Sequence, residues 1–213
     1  MPIAIKPRQT VLFIGDSITD CGRRDAHAPL GCGYVKLAAD LIRAKYPAHG
    51  LTVMNRGIGG NTVEDLANRW TDDALRHRPD WLSVKIGIND LHGHMRGAER
   101  QNSPADFERF YDHVLTETRR KTKARIVLID PFYISNDKDE QSVRSEVLKR
   151  LPSYVRVVHK MARKHKTRLV KTQELFLAQL KHHDPDVFCP EPVHPYDSGH
   201  MVIALGWLKA VGW

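Results

Sequence analysis

Short apolar runs rich in β-branched residues alternate with stretches of helical periodicity along this chain, and that alternation restricts its fold more than any other feature. Runs of this length, ended by glycine or polar residues, are typical of strands that are buried on both faces. Parallel strands joined by crossover helices form a sheet with helices on both sides. We therefore predict an α/β fold, a three-layer α/β/α sandwich with a five-stranded parallel sheet. The predicted strands are Val11–Ile14, Leu51–Met54, Asp80–Ile86, Arg125–Ile129 and Leu169–Val170.

The predicted helices carry apolar residues at spacings of three and four. One of them opens at Ser103-Pro104, a capping residue followed by proline at the first helical position. Pro152 lies inside another, and we expect it to kink or interrupt that helix. A further short helix is predicted over Glu174–Leu180. The residues predicted to face inward are Tyr34, Leu37, Ala38, Leu41 and Ile42; Phe107, Phe110, Tyr111, Val114 and Leu115; Val143, Val147, Leu151, Val155, Val158 and Met161; and Met201, Ala204, Leu205 and Leu208.

Size and composition indicate one globular domain. The chain has 213 residues, and we treat residues 1–213 as a single domain. Hydrophobic residues make up 41% and charged residues 27%, which argues against disorder. The 33 Lys and Arg against 25 Asp and Glu give a net charge of +8, which favours acidic partners but identifies none.

The cysteines and the apolar runs bear on the compartment. The three cysteines, Cys21, Cys32 and Cys189, form no CxxC pair, so a disulfide framework or a zinc ribbon is excluded. No apolar run approaches the ~18 residues that a membrane span needs. The first residues lack the charged start, apolar stretch and cleavage site of a signal peptide. We expect a soluble, reduced, cytoplasmic protein without a membrane partner.

Polar segments follow the predicted strands at the positions where ligands bind in such sheets. Gly15–Thr19 follows the first strand, Asn55–Thr62 the second and Gly87–Asp90 the third. Glu191–Pro195 lies in the loop before the last helix. Ligands bind at the carboxyl ends of parallel strands, beside the point where the strand order reverses. We therefore expect these four segments to meet at one edge of the sheet.

Three of these residues have the chemistry of a nucleophilic triad. Ser17 follows a glycine at a strand end, where its hydroxyl can stand free of the sheet, although such a serine more often caps a turn. A serine needs a neighbouring base to become a nucleophile, and His194 is a candidate. Glu191, three residues upstream, can hold the other ring nitrogen. A solvated loop histidine is the ordinary alternative.

Acyl transfer also needs donors for the oxyanion that forms on the carbonyl oxygen. The backbone N–H groups of Ser17 and Gly60 and the side-chain amide of Asn89 are three such donors. Each has a purely structural interpretation, since Asn89 suits a turn and Gly60 a positive φ angle. The four segments together favour the catalytic interpretation.

The segments GDSIT, NRGIGGNT, GIND and VHPxxxGH resemble those of the SGNH (GDSL) hydrolases, in the order in which that family has them. The resemblance runs from Val11 to the last helix. It implies the flavodoxin-like fold of that family and ester hydrolysis without a metal or an organic cofactor. It implies that Ser17 is the nucleophile, that Gly60 and Asn89 complete the oxyanion hole, and that His194 is the general base. Longer stretches, such as FIGDSITDCGR and DWLSVKIGIND, resemble the bacterial intracellular acetylxylan esterases.

The chain departs from that pattern at the acid and around the acyl group. The family has Asp where this chain has Glu191, so Asp184 or Asp186 is an alternative acid. The acetylxylan esterase branch usually has Trp at the position of Pro190 and Trp-Arg at Leu91-His92. Gly59 replaces a common serine, which loosens the loop. A catalytically impaired protein with the same fold is therefore a competing hypothesis.

Other classes of function have weaker support. His92 and His94, or His182, His183 and Asp184, offer metal ligands, but neither spacing matches a zinc signature, and we predict no metal. The basic stretch Lys160–Lys171 comes without a nucleic-acid-binding signature, and we predict no nucleic-acid partner.

Two further features support no separate function. The Gly57–Thr62 segment lacks the third glycine of a dinucleotide loop, and Cys21 is explained as a small buried thiol. Trp207 and Trp213 either cover a subunit contact or pack with the last helix, so a homo-oligomer stays open.

The sequence therefore predicts a serine esterase for small acyl esters, with acetylated xylo-oligosaccharides or similar sugars as its substrates. Within the same superfamily, a thioesterase or a lysophospholipase-like enzyme is the alternative.

Overall fold

The computed structural model describes residues 3–97 and 102–213. It contains a parallel five-stranded sheet with the order β2-β1-β3-β4-β5. The predicted α/β sandwich is therefore confirmed. The order places the topological switch point between β1 and β3, where ligands bind in folds of this kind. The strands are β1 (Thr10–Gly15), β2 (Thr52–Gly57), β3 (Trp81–Lys85), β4 (Arg125–Ile129) and β5 (Arg168–Val170).

Helices cover both faces of the sheet. Their bounds are α1 (Ser17–Asp20), α2 (Tyr34–Lys45), α3 (Val63–Asp73), α4 (Ile88–Arg96), α5 (Pro104–Lys121), α6 (Val143–Lys164), α7 (Thr172–Gln179) and α8 (Asp197–Ala210). None of the helices in the described residues is long and apolar enough to cross a membrane.

Strand β2 extends further than the sequence predicts. The predicted strand ends at Met54, but Asn55, Arg56 and Gly57 also pair in register with Phe13, Ile14 and Gly15 of β1. The predicted end was wrong because a polar residue such as Asn55 can stay inside a buried strand when its side chain has hydrogen-bond partners within the protein. Its amide donates to the carbonyl oxygens of Thr19 and Leu30, 2.6 and 2.7 Å away.

Helices α3 and α4 are absent from the prediction, although α4 begins inside the polar segment Gly87–Asp90 and α3 begins directly after the segment Asn55–Thr62. Thr62 and Asp65 form a reciprocal capping box at the start of α3, in which each side chain bonds the other's backbone N–H. Asn89 therefore lies in the first turn of α4, whereas Gly60 lies in the loop between β2 and α3.

Three details of helix packing also differ from the prediction. Helix α6 continues through Pro152, so the predicted interruption, as opposed to a kink, does not occur; the proline is exposed, so water can bond the carbonyl group that loses its partner. Val143 is 74% exposed at the first turn of α6, and Leu205 is 46% exposed on α8, although both were predicted to face inward.

The face of α8 that packs on the sheet includes Trp207, whose indole N–H donates to Ser83 Oγ over 3.1 Å. Trp207 thus belongs to the packing of the last helix.

Candidate active site

Ser17 lies at the switch point, as the first residue of the single-turn helix α1 directly after β1. Asp16 is the N-cap of this turn, and its carboxylate accepts a hydrogen bond from the Ile18 N–H over 3.1 Å. Cys21 closes the turn in the left-handed region and donates its N–H to the Ser17 carbonyl oxygen. The nucleophile candidate is therefore fixed by backbone capping at both ends of its turn.

A buried ion pair lies behind Ser17. Lys85 Nζ, at the end of β3, is 3.3 Å from Asp16 Oδ2, and both side chains are inaccessible to solvent. Burial lowers the pKa of Lys85, and the Asp16 carboxylate acts in the opposite direction. The sequence analysis overlooked this pair. The signal was available, because Lys85 is a charged residue at the end of a strand predicted to be buried.

Ser17, His194 and Glu191 form a continuous hydrogen-bonded chain. The Ser17 Oγ lies 2.8 Å from His194 Nε2. His194 Nδ1 bonds to Glu191 Oε1, and the same oxygen accepts the His194 backbone N–H over 2.8 Å. The ring therefore carries its proton on Nδ1 and presents a free lone pair to the serine, a tautomer assigned from these bonds. This is the geometry that general-base activation of a serine requires.

The Glu191 carboxylate is held in its charged form. Burial acts to raise its pKa, but hydrogen bonds from the Val193 N–H and from His194 outweigh this effect and bring the pKa below its ordinary value. Oε2 accepts the Val193 N–H over 2.9 Å. Asp184 and Asp186 lie in the preceding turn and form no hydrogen bond with His194. Of these three carboxylates, it is Glu191 that bonds to His194 Nδ1, despite its extra methylene group.

The three predicted oxyanion donors lie just after β1, β2 and β3, at the carboxyl ends of neighbouring strands. Gly60 has a φ of +80° in the loop after β2, and Asn89 lies in the first turn of α4. Asn89 Nδ2 donates to the Asn61 carbonyl oxygen over 3.0 Å, a bond that uses one of the two hydrogens of this amide. Within residues 3–97 and 102–213, the N–H groups of Ser17 and Gly60 have no hydrogen-bond acceptor. Unpaired donors beside a nucleophile suit a transient oxyanion.

A buried carboxyl group connects the two helices that begin at these loops. Asp90 accepts the Val63 N–H at the start of α3, over 3.0 Å, and the Asn102 amide, over 2.8 Å. Burial raises the pKa of Asp90 to about 7, against the effect of these hydrogen bonds. The sequence analysis quoted Asp90 within the GIND segment without giving it a role. Its position links the Asn89 helix to the helix that follows Gly60.

Asp20, on α1, connects the turn that carries Ser17 to the loop after β2. Its carboxylate accepts the Gly59 N–H over 3.1 Å and pairs with Arg24 at 2.8 Å. Gly59 was expected to loosen its loop, but this bond holds it against α1.

The surroundings of the triad are open and polar. The side chains of His194 and Glu191 are 57% and 44% exposed. His92 is half-buried edge-on against Tyr133, with ring centroids 6.1 Å apart. Burial lowers the pKa of His92, with a contribution from Arg96 in the same direction. A groove of about 540 Å³ adjoins Glu191 on its other side and is lined by Asn136, Asp137, Arg144, Asp184 and Asp186, among others.

The histidines and the basic stretch considered for other functions lie in the following surroundings. Among the described residues, no three His, Cys, Asp or Glu side chains come close enough together to hold a metal ion. The basic stretch after Lys160 is paired with acids on α5: Lys160 with Glu108 at 2.5 Å, and Lys164 with Asp112 at 2.8 Å. These two lysines therefore have acidic partners within the fold.

The fold agrees with comparisons against known proteins. Residues 13–202 match the GDSL-like lipase/acylhydrolase family. The chain belongs to this family and is a carboxylic ester hydrolase.

Individual proteins of this kind are similar to the chain in both sequence and structure. The chain is 36% identical to an acetylxylan esterase of Geobacillus stearothermophilus, over 96% of this chain and 94% of the relative. The crystal structure of that organism's acetylxylan esterase Axe2 superposes with a TM-score of 0.88, at 36% identity, covering 99% of this chain and 97% of the other. LAE5, an α/β hydrolase from the metagenome of Lake Arreo, gives a TM-score of 0.89 at 30% identity, over 99% and 98% of the two chains. Variants of Axe2 in which a serine, an aspartate or a histidine is replaced by alanine are described as catalytic mutants.

Proposed function

We propose that this protein is a serine esterase that removes acetyl groups from xylo-oligosaccharides or similar short sugars. The observation that carries the proposal is the hydrogen-bonded chain from Ser17 through His194 to Glu191, next to unpaired backbone donors. The relatives that act as acetylxylan esterases, and the serine, histidine and aspartate variants described as catalytic mutants, support the same assignment.

The first half of the reaction forms an acyl-enzyme. The Ser17 oxygen attacks the acetyl carbonyl carbon while His194 Nε2 takes the hydroxyl proton. The carbonyl oxygen becomes an oxyanion, which the N–H groups of Ser17 and Gly60 and the Asn89 amide stabilise. The bond to the sugar oxygen then breaks, and His194 returns the proton to that oxygen. The deacetylated sugar leaves, and the acetyl group stays on Ser17.

The second half repeats these steps with water. His194 takes a proton from a water molecule as its oxygen attacks the acetyl-enzyme, and it returns the proton to the Ser17 oxygen as acetate leaves. Glu191 keeps Nδ1 protonated and balances the positive charge that the ring carries between the two transfers. No metal or cofactor takes part in this scheme.

The exposed triad suits an ester on a bulky, polar alcohol, because the alcohol can remain in solvent during attack on the carbonyl. The rim carries amide, carboxylate and guanidinium groups, which are partners for sugar hydroxyl groups. The thioesterase and lysophospholipase alternatives gain no support from this polar surface. The impaired-enzyme hypothesis loses support because Glu191 reaches His194 Nδ1.

We also infer that residues 1–213 act as one catalytic domain, since every strand of the sheet contributes to a single core. The free thiols of Cys21, Cys32 and Cys189 suit a reducing compartment, and we place the enzyme in the cytoplasm.

The test combines a substrate panel with one substitution. We expect faster hydrolysis of acetylated xylo-oligosaccharides and 4-nitrophenyl acetate than of octanoyl esters, acyl thioesters or lysophospholipids. Ser17→Ala abolishes hydrolysis and labelling by a fluorophosphonate, whereas Ser153→Ala on α6 retains both. Labelling that persists in Ser17→Ala contradicts the nucleophile, and a preference for long acyl chains or thioesters contradicts the substrate.

A further inference from the structure

Two cysteines that are 11 positions apart in the sequence meet beside the turn that carries Ser17. The sulfur atoms of Cys21 and Cys32 are 3.4 Å apart. The Cys32 N–H donates to the Cys21 carbonyl oxygen over 3.0 Å, so the backbone holds the two residues together. A disulfide framework was excluded above because the three cysteines form no CxxC pair, and sequence spacing does not reveal this contact.

The surroundings of the two thiols differ. Cys32 is exposed and lines a surface groove of about 560 Å³ that also includes His27, Pro29 and Lys36. Cys21 is half-buried, and burial raises the pKa of its thiol to about 12. A small reagent therefore reaches Cys32 first, whereas Cys21 is less accessible and stays protonated near pH 7.

His200 lies next to the inner thiol. Its Nδ1 accepts the Tyr34 N–H over 3.3 Å, and its Nε2 lies 3.4 Å from Cys21 Sγ. Burial lowers the pKa of His200 to about 4, so the ring is neutral near pH 7 and carries its hydrogen on Nε2. This N–H points at the sulfur of Cys21 and can stabilise negative charge that develops there.

Gly33 provides the space in which these groups meet. A Cβ atom on residue 33 would lie 2.8 Å from His200 Cε1 and 2.9 Å from Cys21 Sγ. Real side chains do not come this close, so any other residue would push the imidazole and the thiol apart.

We propose that Cys21 and Cys32 are an oxidation site, which a hydroperoxide converts reversibly into a disulfide. The Cys32 thiolate attacks one peroxide oxygen, the O–O bond breaks, and Cys32 becomes a sulfenic acid as hydrogen peroxide is reduced to water. The Cys21 sulfur then attacks the Cys32 sulfur, the S–O bond breaks, and a second water leaves with the Cys21 proton. In total, two thiols lose two electrons and two protons to one molecule of peroxide.

The bond requires little movement. A disulfide has an S–S distance of about 2.05 Å, so the sulfurs need to approach by a little over an ångström. Cys32 is exposed and can rotate, whereas Cys21 is held as the cap of the Ser17 turn. The Ser17 turn therefore keeps its position, and the disulfide closes the loop between Cys21 and Cys32. This proposal is independent of the substrate of the esterase.

The test counts thiols in the purified, reduced protein before and after hydrogen peroxide. We expect the wild type to fall from three titratable thiols to one, to map a 21–32 cross-link by mass spectrometry, and to recover with dithiothreitol. The exposed-site variant Cys32→Ser should lose thiols at least tenfold more slowly. Cys189→Ser serves as the matched control and should still lose two thiols. Dimedone should label residue 32 in Cys21→Ser, where no partner thiol can displace the sulfenic acid.

Several outcomes would overturn the proposal: a cross-link that includes Cys189, a cross-link between chains, or over-oxidation of Cys32 without a cross-link. A second readout reports the closed loop, because oxidised wild type should unfold several degrees higher than the reduced protein, while Cys32→Ser should show no such change. Reduced Cys32→Ser should keep its activity toward 4-nitrophenyl acetate. Failure of the oxidation site is therefore separable from failure of the esterase assignment.

Discussion

Glu191 and His194 are connected twice through one oxygen atom. Glu191 Oε1 accepts the ring Nδ1 hydrogen and the backbone N–H of His194, and Oε2 accepts the next N–H upstream, from Val193. Three hydrogen bonds therefore fix the carboxylate within a turn of a few residues. A glutamate fits here because its longer side chain folds back over its own loop.

This arrangement predicts that Glu191 is the acid of the triad. Replacing it with alanine leaves the imidazolium without a partner and lets the ring adopt the wrong tautomer, so we expect kcat to fall by about 10³–10⁴. Asp184→Ala and Asp186→Ala, in the neighbouring turn, should change kcat less than twofold. Initial rates on 4-nitrophenyl acetate measure all three. The reverse order of effects would transfer the role to one of the aspartates.

The oxyanion donors predict a contrast between a side chain and a backbone position. Asn89→Ala removes a donor from the oxyanion, and we expect kcat to fall by about 10²–10³. Gly60→Ala keeps its N–H and has open space for a Cβ, so its cost is the left-handed backbone, about 1 kcal/mol. Its kcat should fall less than tenfold. The exposed Asn68→Ala on α3 controls for the loss of an amide. A folded Asn89→Ala enzyme with nearly full activity would exclude Asn89 from the oxyanion hole.

Asp90 predicts a pH dependence of stability. Its pKa is about 7 in the folded protein against an ordinary value of 3.8, so the folded state retains the proton when the unfolded state has lost it. Its contribution is therefore complete below the unfolded pKa and is lost as the pH rises through about 7. We expect wild type to lose stability relative to Asp90→Asn over this range, by at most about 1.4 kcal/mol per pH unit.

Urea unfolding of both proteins between pH 5 and pH 8 measures this difference. His200 acts in the opposite direction, because its lowered pKa of about 4 means that its contribution is lost on acidification. It is present in both proteins and cancels in the comparison. A wild-type curve parallel to that of Asp90→Asn would mean that Asp90 does not take up a proton in the folded state.

The buried pair behind Ser17 predicts a non-additive effect on stability. Lys85→Met leaves the Asp16 carboxylate buried without a counter-ion, and we expect a loss of about 3–5 kcal/mol in the free energy of unfolding. The double variant Asp16→Asn/Lys85→Met removes both charges and keeps a side chain that can cap α1, so it should be more stable than Lys85→Met. Equal stability of the two variants would show that the carboxylate does not need its partner.

The sequence predicts the sheet and the site segments well because both depend on local patterns. A buried parallel strand is a short apolar run, and the ends of such strands converge wherever the sheet is continuous. Ser17 and Asn89 could therefore be placed at one edge before any coordinates. The exact ends of β2 could not, since Asn55 becomes buried only through contacts with the distant residues Thr19 and Leu30.

What the sequence did not predict depends on contacts between segments. Asp90 acquires its role from Val63 and Asn102, and Cys21 acquires its neighbour from a loop whose path the sequence does not specify. Val143 and Leu205 fit an apolar stripe by spacing, yet the described part of the chain leaves them 74% and 46% exposed. Periodicity states which face of a helix is apolar, but only the neighbouring elements decide how far along the helix that face is covered.

The loop that carries Glu191 and His194 has a consequence for how this enzyme fails. Glu191 and His194 lie in one short loop and are hydrogen-bonded to each other within it. A substitution near this loop should therefore displace both residues together. The hydrogen bond between Glu191 and His194 is then kept, and the quantity that changes is the distance from His194 Nε2 to Ser17 Oγ. Such a substitution should lower kcat without changing the pKa of the imidazole. The plot of kcat against pH would then keep its shape, with lower values throughout.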